Sequence, residues 1–149
     1  PNFGGRMKKS LSPSMEDYLR AVHSLEKQER AVRVKDIARQ MDISMPSVSA
    51  ALKNLTNRGL VSHTRYDVVG LTDEGTHVAQ VLERRFSVIK QFLSRVLHVD
   101  ADTAARDTCK IEHSLSPETL RKMEELLTAV RENPTAGKGN NVKEYSIEQ

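Results

Sequence analysis

The sequence predicts a mainly α-helical chain with a single small β-hairpin in its N-terminal half. Apolar residues recur at the three- and four-residue spacing of a helix through most of residues 12–133. Short β-prone runs flank a polar turn at residues 60–63 and 68–72. Aromatic residues make up only 4% of the chain and Trp is absent, which favours an aliphatic helical core. A chain of 149 residues supports one ordinary domain, or a small module with a helical appendage.

The charge of the chain is unevenly distributed. Residues 1–70 hold 12 Lys and Arg against 7 Asp and Glu, whereas residues 71–149 hold 11 against 13. The basic half is therefore the half that suits phosphate binding. The sequence contains no run of about 18 apolar residues and no apolar signal-peptide core, so we expect a cytoplasmic protein without a membrane partner. The single cysteine, Cys109, cannot form an internal disulfide, which leaves packing, reactivity or metal ligation as its role.

The first helix is expected to run from Ser12 to about Lys27. The segment from Ser12 to Asp17 opens it, with acidic residues in the first turn, where the helix dipole favours them. A polar loop over residues 28–33 should then lead to the next helix. Residues 1–11 are expected to be a flexible tail or a cloning remnant.

Residues 34–60 predict a helix-turn-helix. Ser44 can cap the second helix of this pair, Pro46 lies in its first turn, and Gly59 ends it. Apolar residues at i, i+3, i+4 and i+7 give each helix one inward face. These inward residues are Val34, Ile37, Ala38 and Met41 in the first helix, and Val48, Ala51, Leu52 and Leu55 in the second.

The outward face of the second helix predicts contact with DNA. It carries Ser47, Ser49 and Lys53 and no acidic residue, so it can enter a major groove and donate to bases and phosphates. The hairpin follows this helix directly and would form a wing, with Arg65 at its tip reaching a phosphate or the minor groove. Residues 12–75 are therefore predicted to form a winged helix-turn-helix DNA-binding domain.

Three more helices are expected after the wing. The first begins at Thr72 and ends near His98, residues 99–103 form a turn, a short helix covers residues 104–114, and the last helix covers residues 118–132. These helices present more apolar surface than a short winged helix can cover. Burial in a homodimer interface is the simplest way to cover that surface. Proteins that bind a palindromic operator also need to be dimers, so that each subunit contacts one half-site. Residues 134–149 have too little apolar content to fold and are expected to be a flexible tail.

A cluster of metal-ligand types occurs at Cys109, Glu112 and His113. On a helix these residues stand at i, i+3 and i+4, so their side chains should share one face. A thiolate, a carboxylate and an imidazole together suit a divalent transition metal rather than Ca or Mg. The same pattern is also typical of a site without metal, in which the cysteine packs in the core and the Glu and His side chains lie at the solvent-exposed edge of the helix. The other histidines, which lack ligand-spaced partners, are expected to be ordinary polar residues: His23, His63, His77 and His98.

The chain resembles the diphtheria toxin repressor family of metal-dependent repressors, and within it the short manganese transport regulators. The resemblance spans roughly residues 12–131 and rests on four motifs: S-P-S-M-E-D-Y-L, V-x-D-I-A…S-x-P-S-V-S, G-L-V…G-L-T-D-E-G and D-T-C-K-I-E-H-S-L-S. It implies a helical metal-binding and dimerisation domain over residues 76–133, without the SH3-like third domain of longer members. It also implies a metal site formed by Asp17, Cys109, Glu112 and His113.

The departures from the family pattern concern a second ion. Manganese-type members have two further ligands at positions that correspond to Arg20 and Phe86 of this chain, and neither of these residues can ligate a metal. Iron-type members have ancillary ligands at positions near Phe86, Lys90 and Ala105, and this chain lacks those ligands too. We expect the Arg20 guanidinium to take the place of the second cation, leaving one ion per chain. A surface Arg in an ordinary ion pair is the alternative.

The resemblance implies a transcriptional repressor that senses Fe(II) or Mn(II) and controls metal homeostasis genes. In the family, Asp at position 17 accompanies manganese and Cys at position 109 accompanies iron; thiolate softness favours Fe(II) slightly, while Zn, Co or Ni could bind in vitro. Two other classes remain open from the residues alone. One is a metal-independent winged-helix regulator; the other is a metalloenzyme, for which the sequence offers no general base beside an open metal position, so we expect no enzyme.

Overall fold

The computed structural model describes residues 10–28 and 31–133. The chain divides into two compact units, Pro1–Glu83 and Arg84–Gln149. The predicted tails, apart from residues 10 and 11, lie outside the described residues. Among the described helices, none has both the length and the apolar character needed to cross a membrane.

The first unit combines helices with a three-stranded antiparallel sheet. The strand order is β1-β3-β2, with Val32 opposite Val69 and Val61 opposite Leu71. In chain order the elements are α1 (Pro13–Glu26), β1 (Val32–Arg33), α2 (Val34–Met41), α3 (Met45–Asn57), β2 (Val61–His63), β3 (Val68–Leu71) and the start of α4 (Asp73–Gln91).

Serine caps begin the first and third helices, and the sequence predicted the second of these caps, Ser44. The hydroxyl of Ser12 accepts a hydrogen bond from the backbone N–H of Met15, and that of Ser44 accepts one from Ser47, both at 3.3 Å. A proline follows each cap in the first helical turn, where its missing N–H leaves no bond unmade. After α3 the chain turns at Gly59, whose φ of 72° lies in the left-handed region.

The core of the first unit is aliphatic and follows the predicted helical faces. The inward residues of α2 and α3 are buried, except that Met41 is only partly buried against the same cluster. In α1 the buried residues include Tyr18, whose pKa is raised by its burial. The core members from the helices are Tyr18, Leu19, Ala21, Val22, Val34, Ile37, Ala38, Val48, Ala51, Leu52, Leu55 and Leu82.

The sequence predicted a polar loop over residues 28–33, but its last two residues form strand β1, so the prediction is wrong there. Val32 is 3% exposed and pairs with Val69, while Arg33 points to solvent. Two residues are too few to show the alternating pattern of a strand, and the partner strand lies more than 30 residues further along the chain. Residues 29 and 30 of the loop lie outside the described residues.

The second unit contains the end of α4 and two further helices. Residues Phe92–Val96 form a π-helical turn, followed by α5 (Ala101–Ile111), a 3-10 turn (Glu112–Ser114) and α6 (Pro117–Glu132). Both α5 and α6 pack against the π-helical turn. The buried apolar residues here are Ile89, Ala104 and Leu127. Ser116 caps α6 through the Thr119 N–H at 3.2 Å, confirming the predicted restart of the chain.

Three boundaries in the second unit differ from the sequence prediction. The long helix changes to π geometry after Gln91, where the Ser94 hydroxyl donates to the Lys90 carbonyl at 3.0 Å and competes with the regular backbone bond. The short helix begins at Ala101 instead of residue 104, because the Asp100 carboxylate caps it through the Thr103 N–H. It ends at Ile111 instead of residue 114.

Several large apolar side chains are exposed in the single chain. Val81 of α4, which lies in the apolar pattern of the long helix, is 55% exposed. Leu97 and Leu126 of the second unit are exposed to a similar degree. Their exposure leaves apolar surface for another molecule to cover.

Candidate nucleic-acid interface and metal donors

The outward face of α3 carries the residues predicted to contact DNA. Ser47, Ser49 and Lys53 are all exposed, on the opposite side from the buried stripe that begins at Val48. The Ser47 hydroxyl lies 2.8 Å from the Ser44 hydroxyl, so it also takes part in the cap. Ser49 and Lys53 therefore offer the freer polar groups on this face.

The predicted wing is present, and Arg65 lies in the exposed turn between β2 and β3. The turn is closed by the Thr64 N–H, which donates to the Val68 carbonyl at 3.0 Å. At its end Asp67 adopts a left-handed φ of 60° and its carboxylate lies 3.1 Å from the His63 ring. Tyr66, next to Arg65, is 84% exposed. Sequence reasoning did not assign Tyr66 to the interface, although an aromatic residue at a hairpin tip is a visible signal.

Two polar contacts fasten α1 to the wing and to α4 within the first unit. The Glu26 carboxylate accepts a hydrogen bond from the Leu71 N–H of β3 at 2.9 Å. The Glu83 carboxylate of α4 accepts from the Lys27 ammonium at 2.7 Å and lies 3.2 Å from the His23 ring. The hydrogen bond from Lys27 holds the pKa of Glu83 below its usual value, and the charge of His23 adds to this effect. The position of α1 is thus coupled to the strand that carries the wing.

Two of the predicted metal donors lie together in the second unit. Glu112 is 1% exposed, although it is a carboxylate, and its Oε1 lies 3.7 Å from Nε2 of His113. It continues the buried face of α5 through Ala104 and Thr108, at spacings of four residues. The Thr108 hydroxyl donates a hydrogen bond to the Ala104 carbonyl at 2.6 Å. The next residue on this buried face is Glu112.

Cys109 is placed differently from its two neighbours. It is exposed, and among the described residues its sulfur does not join Glu112 and His113 in a group of donor atoms within 4.8 Å of one another. Cys109 is thus a surface residue in this conformation, and its membership of the metal site stays a prediction. The α-helix ends at Ile111, and Glu112 and His113 lie in the 3-10 turn that follows it.

The remaining predicted site residues lie on α1. Asp17 and Arg20 are three residues apart and partly buried, and each has an interaction partner in the structure. Of the positions where the family's additional ligands would lie, Phe86 carries no donor atom and Ala105 is a methyl group. Two of the other histidines contact carboxylates, His23 with Glu83 and His63 with Asp67.

The sequence matches two family models in succession. Residues 10–69 match the N-terminal DNA binding domain of the iron dependent repressor, and residues 72–139 match its metal binding and dimerisation domain. The first match contains α3 and most of the wing, and the second contains Cys109, Glu112 and His113.

Individual relatives agree with the family models. The chain is 32% identical to an uncharacterized HTH-type transcriptional regulator of Methanocaldococcus jannaschii, over 76% of this chain and 91% of that protein. It is 30% identical to the HTH-type transcriptional regulator MntR of Lysinibacillus sphaericus, over 83% and 88% of the two chains. The structure of the manganese regulator SloR matches with a TM-score of 0.69 at 29% identity, covering 79% of this chain and 55% of that one. These findings support a metal-dependent regulator over the metal-independent alternative, and the chain belongs to the iron-dependent repressor family of DNA-binding transcriptional regulators.

Proposed function

We propose that this chain represses metal homeostasis genes in response to Fe(II) or Mn(II), binding one ion per chain through Asp17, Cys109, Glu112 and His113. The observation that carries the proposal is the buried Glu112 carboxylate beside the His113 imidazole. A carboxylate is rarely this buried unless a positive group compensates its charge. The pair also lies in the segment that matches a metal-binding domain.

The donor types fit a first-row transition metal. Glu112 and Asp17 offer oxygen, His113 offers nitrogen, and Cys109 offers a thiolate, a mixed set that Fe(II), Mn(II) and Zn(II) all accept. Cys109 would join the set after a change of its side-chain rotamer or of the helix end that follows it. The thiolate favours Fe(II) slightly, whereas the likeness to the manganese regulator SloR and to a manganese-dependent transcriptional repressor solved with manganese favours Mn(II). Zn, Co and Ni could also bind this donor set in vitro.

The proposed stoichiometry of one ion rests on the residues at the remaining positions. Arg20 follows Asp17 by three residues on the same face of α1, and its guanidinium can neutralise a carboxylate but cannot bind a metal. Phe86 offers no donor either. A bidentate ion pair of Arg20 with Asp17 or Glu112 would supply the positive charge that a second ion supplies elsewhere.

The proposed mechanism couples the ligand set to the position of α1. The bound ion would supply the positive charge that joins the carboxylate of Asp17 to the donors near the end of α5. Because Glu26 ties α1 to β3, fixing α1 would also restrict the wing. The ion then favours the DNA-competent state by its differential affinity for that state.

The DNA side of the proposal uses α3 and the wing. Ser47, Ser49 and Lys53 are the proposed contacts in the major groove, and Arg65 is the proposed contact with the sugar-phosphate backbone. The homodimer would present two such surfaces to a palindromic operator in the cytoplasm. The proposal includes no catalytic step.

The test is DNA binding titrated anaerobically with Fe(II), Mn(II) and Zn(II) in turn, each against a chelator control. We expect strong metal dependence in the wild type and its loss in Asp17→Ala and Glu112→Gln, with the dimer retained. Asp102→Ala, an exposed acid on α5, serves as the matched control and should respond to metal like the wild type. Equal DNA binding in chelator and in metal would contradict the proposal.

The stoichiometry is tested separately by measuring bound metal per chain. We expect one ion in the wild type and in Arg20→Lys. Two tightly bound ions per wild-type chain would show that Arg20 does not take the place of a cation.

A further inference from the structure

A small cavity, open to solvent, lies in the first unit between the end of α1, strand β1 and helix α2. Its volume is about 230 Å³, below the roughly 300–1,000 Å³ of sites that take drug-sized molecules. Around it lie two branched apolar side chains and four polar ones: Leu25, Val32, Gln28, Asp36, Arg39 and Gln40. None of the proposed metal donors or DNA contacts belongs to this set. The cavity is therefore separate from both and has room for a small organic molecule.

Arg39 supplies the positive charge of the cavity. It is the only cation among the described residues that line it. In the part of the chain that the structure describes, the guanidinium of Arg39 forms no hydrogen bond or ion pair. A guanidinium with free donors matches a planar carboxylate best, because two parallel hydrogen bonds can form between them. The amide of Gln40, the next residue, can donate to the same group.

Asp36 limits the charge that a ligand can carry. One of its carboxylate oxygens accepts the Arg33 backbone N–H at 3.0 Å, so the group is fixed as part of the cap of α2 at the edge of the cavity. A doubly charged anion such as phosphate would lie close to this negative charge and be repelled. A singly charged ligand whose negative end faces Arg39 avoids most of that repulsion.

Leu25 and Val32 give the cavity an apolar wall. Val32 is 3% exposed, and Leu25 is partly buried against the core of the first unit. Covering this wall with a hydrocarbon group removes apolar surface from water, which is favourable. A ligand that satisfies the whole cavity therefore has a hydrocarbon body as well as a negative end.

We infer that this cavity binds a small organic carboxylate with a short branched hydrocarbon chain. The carboxylate lies on Arg39, and the hydrocarbon lies against Leu25 and Val32. Such a ligand joins the end of α1 to α2, beside the strand in which Val32 pairs with Val69 of β3. It stabilises the first unit by mass action, because the unfolded chain lacks the site.

The test uses 4-methylpentanoate as the probe, titrated into the ¹⁵N-labelled full chain in the presence of chelator. We expect saturable shifts of the Val32, Asp36 and Arg39 amide signals, with a Kd on the order of 1 mM for so small a ligand. The uncharged 4-methylpentanamide and the chain-less acetate should each bind at least about fivefold more weakly, since each lacks one half of the recognition. Inorganic phosphate should not saturate the same signals.

Variants assign the binding to the cavity. Arg39→Gln should raise the Kd of 4-methylpentanoate about tenfold, because it removes hydrogen bonds between two charged groups. Lys35→Gln is the matched control: it removes the same charge from an exposed position four residues earlier on α2, outside the cavity, and should leave the Kd unchanged. Both variants should fold, because both side chains are exposed.

Four results would overturn the inference. They are shifts that do not saturate, equal affinity for the acid and its amide, equal weakening by Arg39→Gln and Lys35→Gln, and saturation of the same signals by phosphate. If Arg39→Gln weakened metal-dependent DNA binding and left the Kd of 4-methylpentanoate unchanged, Arg39 would be a DNA contact instead. None of these results would affect the proposed metal-dependent repression, which is measured with metal and DNA.

Discussion

Gly75, in the first turn of α4, is required by a close approach between two backbone segments. A Cβ atom built at this position would lie 1.9 Å from the carbonyl oxygen of Leu60, which is far inside contact distance. The same turn is held by the Thr72 hydroxyl, which accepts from the Gly75 N–H at 3.0 Å and donates to the Gly59 carbonyl at 2.7 Å. The obstructing atoms are all backbone atoms of Leu60, which cannot move away as the end of a flexible side chain could.

We expect Gly75→Ala to destabilise the first unit by about 1–3 kcal/mol, the usual cost of forcing extra volume into a packed site. Urea unfolding followed by tyrosine fluorescence measures this, because Tyr18 is a buried reporter in the same unit. Gly70→Ala is the control: its Cβ would lie 3.3 Å from the movable Ser62 hydroxyl, and the loss should be smaller. A Gly75→Ala variant as stable as the wild type would contradict the close approach.

Glu83 should give the stability of the first unit a dependence on acid pH. Its folded-state pKa is lowered from the ordinary value of 4.5, chiefly by the hydrogen bond from Lys27. A lowered pKa means that the stabilisation is complete above the unfolded-state value and is lost as pH falls through the folded-state value. We therefore expect the wild type to be more stable than Glu83→Gln near neutral pH, and the difference to shrink below pH 4.5. A difference in urea midpoint that stays constant as the solution is acidified would count against this contact.

The candidate metal residues show what residue spacing can and cannot predict. Spacing placed Glu112 and His113 side by side, and the structure has their side chains 3.7 Å apart. Spacing did not predict that Cys109 is exposed, or that Glu112 and His113 lie in a 3-10 turn beyond the end of the α-helix that carries Cys109. The burial of Glu112 was also invisible in the sequence, because charged residues are ordinarily assigned to the surface.

At the scale of elements, β3 is held in place by more than its two neighbouring strands. Its last residue, Leu71, donates its backbone N–H to the Glu26 carboxylate of α1 at 2.9 Å, in a partly buried setting. Hydrogen bonds to charged groups are stronger than neutral ones, and loss of a partner leaves the other group unsatisfied. Glu26 therefore transmits the position of α1 to the wing.

We expect Glu26→Ala to lower the free energy of unfolding by about 1–3 kcal/mol and to speed hydrogen exchange at the Leu71 amide. Glu26→Gln keeps an oxygen acceptor at the same place and should lose less. The Leu127 amide, in α6 of the other unit, is the internal reference for the exchange measurement. Unchanged protection of Leu71 in the Ala variant would show that the sheet alone holds the strand.

The elements that the sequence predicted best are those with strong local signals. The helices α2 and α3 have regular apolar spacing, and α3 has a serine cap, a proline in its first turn and a glycine just after it, so few other conformations fit. By contrast, β1 exists only because β3 pairs with it, and Val32 carries no local sign of that partner. The π-helical turn after Gln91 likewise leaves no sign in the apolar spacing, which continues through Phe92, Leu93 and Val96.

At the scale of the whole molecule, the net charge of +3 is too small to bind DNA without local concentration of basic residues. The proposed phosphate contact, Arg65, lies at an exposed wing tip and contributes to no core, so its removal should leave folding intact. Each phosphate neutralised by a cationic side chain releases counterions, which gives the affinity its dependence on salt. A dimer presents two copies of Arg65 to one operator.

We expect Arg65→Ala to reduce the slope of log affinity against log salt by about 2 for the dimer, since each lost phosphate contact lowers it by about 0.9. Thr56→Ala, which removes an exposed but uncharged side chain of α3, is the control and should leave that slope unchanged. Fluorescence anisotropy over a series of salt concentrations, with saturating metal, measures the slope for each variant. If Arg65→Ala left the slope unchanged, Arg65 would not neutralise a phosphate, and the cationic contacts with the operator would have to come from other residues.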